Sequence, residues 1–243
     1  MILRSRRARK WTIVVASVLV VVVGGAYALL QVADSRSFQF FGTLVNRVDT
    51  TEKVVALTFD DGPDPAGTHA ILDTLKSRQV PATFFLIGHD IAAHPDLARD
   101  IAAAGHEIGN HSFSHDHMIG VTPAWVADEV EATDALIRAA GYTGDILFRP
   151  PYGKKFLALP HYLASHGRTT ITWDVEPDSD GTPAAATVVS DTLGQVRPGS
   201  ILLLHAMYSG RTQTREAIGP IVDGLKQRGF RFVTVSQLLA ERH

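Results

Sequence analysis

Val54-Val55-Ala56-Leu57-Thr58-Phe59-Asp60-Asp61-Gly62-Pro63 is the stretch from which the fold is read. Six residues suited to a buried strand run straight into two adjacent carboxylates and then a Gly-Pro break. Neighbouring carboxylates at the edge of a packed core repel one another and lose hydration, so one takes up a proton or a cation neutralises the pair. On these ten residues alone a strand-end turn and an active site both stand.

Downstream, apolar runs alternate with amphipathic stretches. The strand candidates are 54–59, 82–87, 107–110, 146–149, 170–174, 201–205 and 231–235, and the helix candidates between them include 68–78, 96–104, 122–140, 184–195 and 215–228. Gly105, Gly141 and Gly229 stand just past helical stretches, where a left-handed cap is expected, and Thr122 before Pro123 is a helix start. About seven β/α units in strict alternation imply parallel strands joined by right-handed crossovers in one domain. A barrel and an open doubly wound sheet both fit. The place of a Gly-rich phosphate loop after the first strand is taken by Asp60-Asp61-Gly62-Pro63, which argues against dinucleotide binding. In either architecture function gathers at the carboxyl ends of the strands.

Upstream, residues 1–10 are basic (Arg4, Arg6, Arg7, Arg9, Lys10), and residues 11–33 carry no charge and are long enough to span a bilayer. The positive-inside rule keeps the basic end in the cytoplasm and places the body outside the membrane, a single-pass signal-anchor arrangement. Ala26-Tyr27-Ala28 has the small-x-small form of a cleavage site, so a secreted, cleaved form is the alternative. Residues 34–52 read as a spacer and 53–243 as the domain.

Of the 23 Lys and Arg residues, 18 remain after the basic segment against 25 Asp and Glu, so the body is net acidic. That excludes nucleic acid as the expected partner. The chain has no cysteine, so any metal is held by His, Asp or Glu.

The polar residues at the strand ends are few. Asp60 and Asp61 close the first strand; Asn110-His111-Ser112-Phe113-Ser114-His115 follows the third. A four-residue spacing puts both imidazoles on one side of a helical turn, and with a carboxylate from another strand they make a facial N,N,O set. Phe148-Arg149-Pro150-Pro151-Tyr152-Gly153 follows the fourth strand, where an arginine can hold a carboxylate in a fork. The fifth leads into Trp173-Asp174-Val175-Glu176-Pro177-Asp178, and the sixth ends at Leu203-Leu204-His205. His117 is a competing ligand or a solvent-facing side chain; His69, His89, His94, His106, His161, His166 and His243 lie off the motifs.

Thr58-Phe59-Asp60-Asp61-Gly62-Pro63, His111-Ser-Phe-Ser-His115, Arg149-Pro-Pro-Tyr-Gly153 and Leu203-Leu-His205, in that order and spacing, resemble the ordered motifs of the polysaccharide deacetylase family, the NodB-homology or carbohydrate esterase family 4 domain. The resemblance covers about residues 53–239. It implies an α/β fold, a deformed (β/α)7 barrel preceded here by the transmembrane helix. It also implies metal-dependent removal of N-acetyl groups from an N-acetylglucosamine-containing polysaccharide: peptidoglycan, a chitin-like polymer or poly-N-acetylglucosamine. Carried over by position, Asp61, His111 and His115 bind one divalent ion, Zn2+ most often, with Co2+ or Mn2+ as alternatives. Asp60 is the general base, Arg149 orients it and His205 is the general acid. The Tyr152 N–H helps hold the oxyanion, and Leu203 lines the acetyl pocket.

One motif departs. Many members carry an Asp-Trp pair after the fifth strand, whose carboxylate holds the acid histidine; the alignment puts Ser179 and Asp180 there, leaving Asp174, Glu176 and Asp178 as candidates to orient His205. Two other readings are an acetylxylan esterase or other C–N amidase on the same scaffold, and a non-catalytic carbohydrate-binding relic.

Overall fold

The computed structural model describes residues 2–179 and 181–241. Asp180 and His243 lie outside the described residues.

In chain order the elements are α1 (Ile2–Ala33), β1 (Leu44–Val45), β2 (Val54–Asp60), α2 (Thr68–Arg78), β3 (Thr83–Leu86), α3 (Gly88–Ala93), α4 (Pro95–Ala103), β4 (Glu107–Asn110), α5 (Pro123–Ala139), α6 (Ala158–Ser165), β5 (Thr170–Ile171), α7 (Ala185–Gln195), β6 (Ser200–Leu204), α8 (Thr212–Gln227), β7 (Arg231–Val233) and α9 (Val235–Ala240). The opening stretch is indeed a strand: β2 is buried at every position, which is why it is an uninterrupted apolar run rather than an alternating one.

Among the described residues every pairing between these strands is parallel, with one isolated antiparallel bridge from Arg47 to Ser200. The order is β4-β3-β2-β6, with β7 also on β2, while β5 pairs with β1. Single bridges carry the path onward, from Asn110 to Phe148, from Phe148 to Thr170, and from Val175 to Leu202 on β6. The hydrogen-bonded path thus returns to β6 through short links. Side chains from the two faces of β2 enter two hydrophobic clusters: Val55, Leu57 and Phe59 face α2 and α8, while Val54 and Ala56 join Ile171, Ile201 and Leu203. Because β2 is packed on both faces, polar groups gather where it ends.

The caps follow expectation. Gly105, Gly141 and Gly229 have φ of 81°, 91° and 83°, and the Thr122 hydroxyl accepts from Trp125 N–H at the start of α5. Three expectations need correction. The candidate strand at 146–149 is reduced to bridges at Phe148, because Pro150 and Pro151 have no N–H to extend a ladder. The one at 170–174 stops at Ile171. Asp174 instead turns inward, accepting from Ser200 Oγ and Ile201 N at 3.0 Å each. Residues 34–52 lie on the domain, with Leu44–Val45 paired to Thr170–Ile171 and Val48 N bonded to Gly199 O.

Among the described residues α1 is the one helix long and apolar enough to cross a membrane, over Val15–Ala33 with a mean hydropathy of 2.2. Its residues from Val15 to Leu30 are exposed.

Candidate active site

Asp60 is the last residue of β2, and the chain reverses immediately afterwards: Asp61 has φ 74° and Gly62 φ 66°. A strand continued through Asp61 would send the two carboxylates to opposite faces. The reversal brings both to one rim. Left-handed backbone at a non-glycine residue is costly, and it recurs here at Ser112 (63°), His115 (62°) and Tyr152 (57°). Four of the five such residues among those described border the same cleft or hold its loops.

The His111–His115 segment is not the helical turn that its spacing suggests. His111 leaves β4 with its N–H on Leu86 O, and the chain doubles back through Ser112. Ser112 Oγ then accepts from His115 N–H at 3.0 Å. The buried Glu129 of α5 clamps the loop, its Oε2 accepting from Phe113 N, Ser114 N and Ser114 Oγ at 2.9, 2.8 and 3.1 Å. A loop ordered from α5 brings the two imidazoles together, with ring centroids 4.9 Å apart.

Asp61 Oδ1 stands 3.4 Å from His115 Nε2 and 3.9 Å from His111 Nε2, and one donor atom from each residue lies within 4.8 Å of the others. That oxygen is buried and has no hydrogen-bond partner among the described residues. His111 Nδ1 is engaged with the Arg149 carbonyl at 2.7 Å, which makes it the protonated nitrogen and turns the Nε2 lone pair inward. Burial pushes the His111 imidazole down to about 4, against the pull of Asp60, and lowers His115 as well, so both imidazoles are neutral at neutral pH, the form that can accept a metal ion. Burial raises the Asp61 carboxyl. Tetrahedral donors 2.0–2.2 Å from one ion stand about 3.4 Å apart, so the set fits a small divalent cation.

Asp60 beside it is held differently. Arg149, fully buried, donates from Nη1 to Asp60 Oδ1 at 2.6 Å and to Thr58 Oγ1 at 2.8 Å, and from Nη2 to Thr172 O at 3.2 Å. Its guanidinium lies 4.1 Å from the Phe85 ring centroid. The other carboxylate oxygen of Asp60, Oδ2, is 3.6 Å from His111 Nε2.

His205 follows β6 on the opposite wall. Of the three candidate partners, Asp178 alone reaches it: Oδ2 accepts from His205 N at 2.8 Å and Oδ1 stands 3.3 Å from Nδ1. Thr214 Oγ1 donates to the same carboxylate at 3.1 Å. Burial disfavours the imidazolium, but the hydrogen bond and charge of Asp178, reinforced by Asp60 and Asp61, raise the histidine to about 9. Asp174 is spent on the start of β6, and Glu176 accepts from Trp173 Nε1 at 2.8 Å and pairs with Arg36 at 2.6 Å.

The cleft between these walls is about 620 Å³ and is lined also by Tyr152, Trp173, Ser179, Tyr208 and Arg211. Tyr152, 57% exposed, stands at the mouth with its ring against His115 and His117. His117 is exposed and outside the metal set. Leu203, expected to line the acetyl pocket, is instead fully buried in the cluster with Trp173 and is not among the residues lining the cleft. Among the off-motif histidines, His106 is buried, accepts from Ala82 N and is lowered by burial to about 4, while His69 pairs with Asp100 at the surface.

Sequence reading missed Tyr208, whose hydroxyl donates to Asp90 at 2.6 Å, and Arg36, contributed from the segment read as a spacer. Tyr208 follows His205 by three residues and was within reach of a strand-end search. Arg36 carried no such signal.

A parallel α/β domain whose strand ends bring a carboxylate and a histidine to either side of an Asp-His-His set able to hold a metal ion is an architecture suited to hydrolysis. The polysaccharide deacetylase family model matches residues 47–171, and the chain belongs to that family. It is 35% identical over 208 residues to a peptidoglycan-N-acetylglucosamine deacetylase of Bacillus cereus (strain ATCC 14579), covering 83% of this chain and 95% of that protein. It is 37% identical over 196 residues to a chitooligosaccharide deacetylase of Bradyrhizobium sp. (strain ANU 289), covering 76% and 90%. Among solved structures, the Bc1960 peptidoglycan N-acetylglucosamine deacetylase bound to a naphthalenyl-N-oxidanyl-benzamide superposes with a TM-score of 0.75 at 35% identity, over 79% of this chain and 91% of that one. The protein is therefore a polysaccharide deacetylase, a hydrolase acting on carbon-nitrogen bonds.

Proposed function

We propose that this protein is a membrane-tethered, metal-dependent deacetylase that removes N-acetyl groups from an N-acetylglucosamine-containing polysaccharide outside the cytoplasmic membrane. The observation that carries the reading is the buried, unpartnered Asp61 Oδ1 facing the Nε2 atoms of His111 and His115, with Asp60 and His205 on either side. A divalent ion held by Asp61, His111 and His115, zinc by preference of the N,N,O donor set, supplies a Lewis acid that polarises the acetamide carbonyl and acidifies water.

The chain's own groups supply the rest. Arg149 fixes Asp60 through Oδ1 and leaves Oδ2 as the acceptor for the proton of the attacking water. The Tyr152 N–H is the backbone donor offered to the oxyanion as the carbonyl carbon becomes tetrahedral. With Nδ1 engaged by Asp178, His205 presents Nε2 to the cleft and carries a proton at neutral pH. It gives that proton to the nitrogen as the C–N bond breaks, so that acetate and a free amine leave. The intact set of three ligands, base and acid disfavours a non-catalytic relic.

Acetate release is measured on peptidoglycan, N-acetylglucosamine oligomers, poly-N-acetylglucosamine and acetylated xylan, with chelator and after adding back zinc, cobalt or manganese. Release from an N-acetylglucosamine polymer, lost on chelation and restored by metal, is the predicted outcome. Turnover of acetylated xylan alone favours the esterase reading, and chelator-resistant turnover contradicts the metal.

A further inference from the structure

We propose that an aromatic patch beside the catalytic cleft is seated in the headgroup layer of the membrane that α1 crosses, so that the mouth of the cleft is held against the bilayer surface. The inference rests on the membrane-spanning reading of α1 and adds to it a second, peripheral contact.

The patch is made by Phe38, Phe40, Phe41 and Leu157, each between 42 and 49% exposed. Phe40 meets Phe38 and Phe156 edge-on at 5.5 and 5.6 Å, so the rings form one continuous surface. Four such side chains left in water are unusual for a domain whose other large apolar residues, among those described, are buried or half-buried, apart from Tyr152 at the cleft mouth. Phenylalanine and leucine beside a hydrophobic helix are the side chains that insert at an interface.

What covers this patch follows from how α1 joins the domain. The last residue of α1, Ala33, is buried, and its carbonyl accepts from Lys155 N–H at 3.0 Å. Asp34 pairs with Lys154 at 3.0 Å, the Ser35 carbonyl accepts from Lys155 Nζ, and the Arg36 carbonyl accepts from Thr172 Oγ1. The helix leaves the domain at a fixed point. Its 19-residue apolar window spans about 28 Å, close to the thickness of a hydrocarbon core of about 30 Å, which puts Ala33 at the boundary of that core.

Phe156 and Leu157 follow Lys155 directly and lie within about 7 Å of chain from that contact. A headgroup layer is about 5–7 Å deep on each side, the difference between the full bilayer and its core. The patch is therefore at the depth of the headgroups. Arg36, which closes one wall of the cleft against Glu176 and Trp173, is two residues before Phe38, so the cleft mouth shares this level. The substrate in this arrangement is glycan lying along the membrane face.

The chain has no cysteine, so single labels can be placed cleanly on the full-length protein in lipid nanodiscs. An environment-sensitive fluorophore is attached at Phe40→Cys, at Leu157→Cys, at Val22→Cys within α1 and at Ser77→Cys on α2, and phospholipids carrying a headgroup or mid-chain nitroxide are the quenchers. The proposal predicts strong headgroup quenching at positions 40 and 157, mid-chain quenching at 22, and none at 77. Quenching at 22 with positions 40 and 157 as unquenched as 77 overturns the docking and leaves the anchor standing. Absence at all four overturns both. Protection of positions 40 and 157 by chitin oligomers, without lipid quenching, assigns the patch to glycan and also overturns the proposal. Because a label can itself draw a site into lipid, Phe38→Asp combined with Leu157→Asp is read with the label at Phe41→Cys. Loss of quenching is expected, and unchanged quenching contradicts the patch; circular dichroism and acetate release from a soluble oligomer report that the domain is folded.

Discussion

The two walls of the cleft are built by different means. On one side Asp60, Asp61, His111 and His115 stand at the ends of β2 and β4, the strands that flank β3, fixed by a backbone reversal, the buried Arg149 and the clamp of Glu129. On the other, a single histidine after β6 depends on one buried carboxylate, Asp178, in the loop between β5 and α7. The first wall is over-determined. The second rests on one carboxylate, that of Asp178, which also accepts from His205 N and Thr214 Oγ1.

That contrast can be broken at each wall. Asp61→Asn removes the anionic ligand, and turnover is expected to vanish together with bound metal while the fold persists, as read by acetate release, metal analysis and circular dichroism. Asp60→Asn, the neighbouring residue, is expected to keep the ion and lower kcat by about 10²–10⁴, the range for a lost general base. Equal loss of metal in both variants would erase the division of labour between the two aspartates.

Asp178→Asn tests the other wall more gently, with an expected loss of about 10- to 100-fold, the scale for removing a histidine's orienting partner. It has a second signature. His205 is raised to about 9 in the folded protein against about 6.5 unfolded, so the contribution of its pair with Asp178 is complete below about pH 6.5 and fades as pH rises through about 9. Without the carboxylate the basic limb of the kcat profile moves to lower pH. An unmoved limb would take the proton-donor role away from His205.

Glu129→Gln is the smallest change. It weakens three hydrogen bonds to the histidine loop and is expected to cost about 1–3 kcal/mol in denaturant unfolding, with KM little altered.

The same contrast explains what could be read from the sequence. β2, the caps of α5 and the first-wall residues were legible because each signal is local: an apolar run, a Thr-Pro start, a four-residue spacing. The means were not always right. His111 and His115 converge through left-handed backbone at Ser112 and His115, a conformation to which periodicity is blind. Asp178 could not be separated from Asp174 and Glu176, since the choice depends on which carboxylate β6 and Trp173 have already engaged. Arg36 and the patch at Phe38–Phe41 looked like a spacer because their role comes from packing on residues more than a hundred positions away.

The central claim is that one divalent ion at Asp61, His111 and His115 is required for deacetylation. Metal content and acetate release are measured on the same full-length preparation during chelation and stepwise return of zinc. Activity on an N-acetylglucosamine polymer is expected to rise in proportion to bound zinc and to level off at one ion per chain, with neither binding nor activity in Asp61→Asn. Full activity in protein stripped of metal would contradict it.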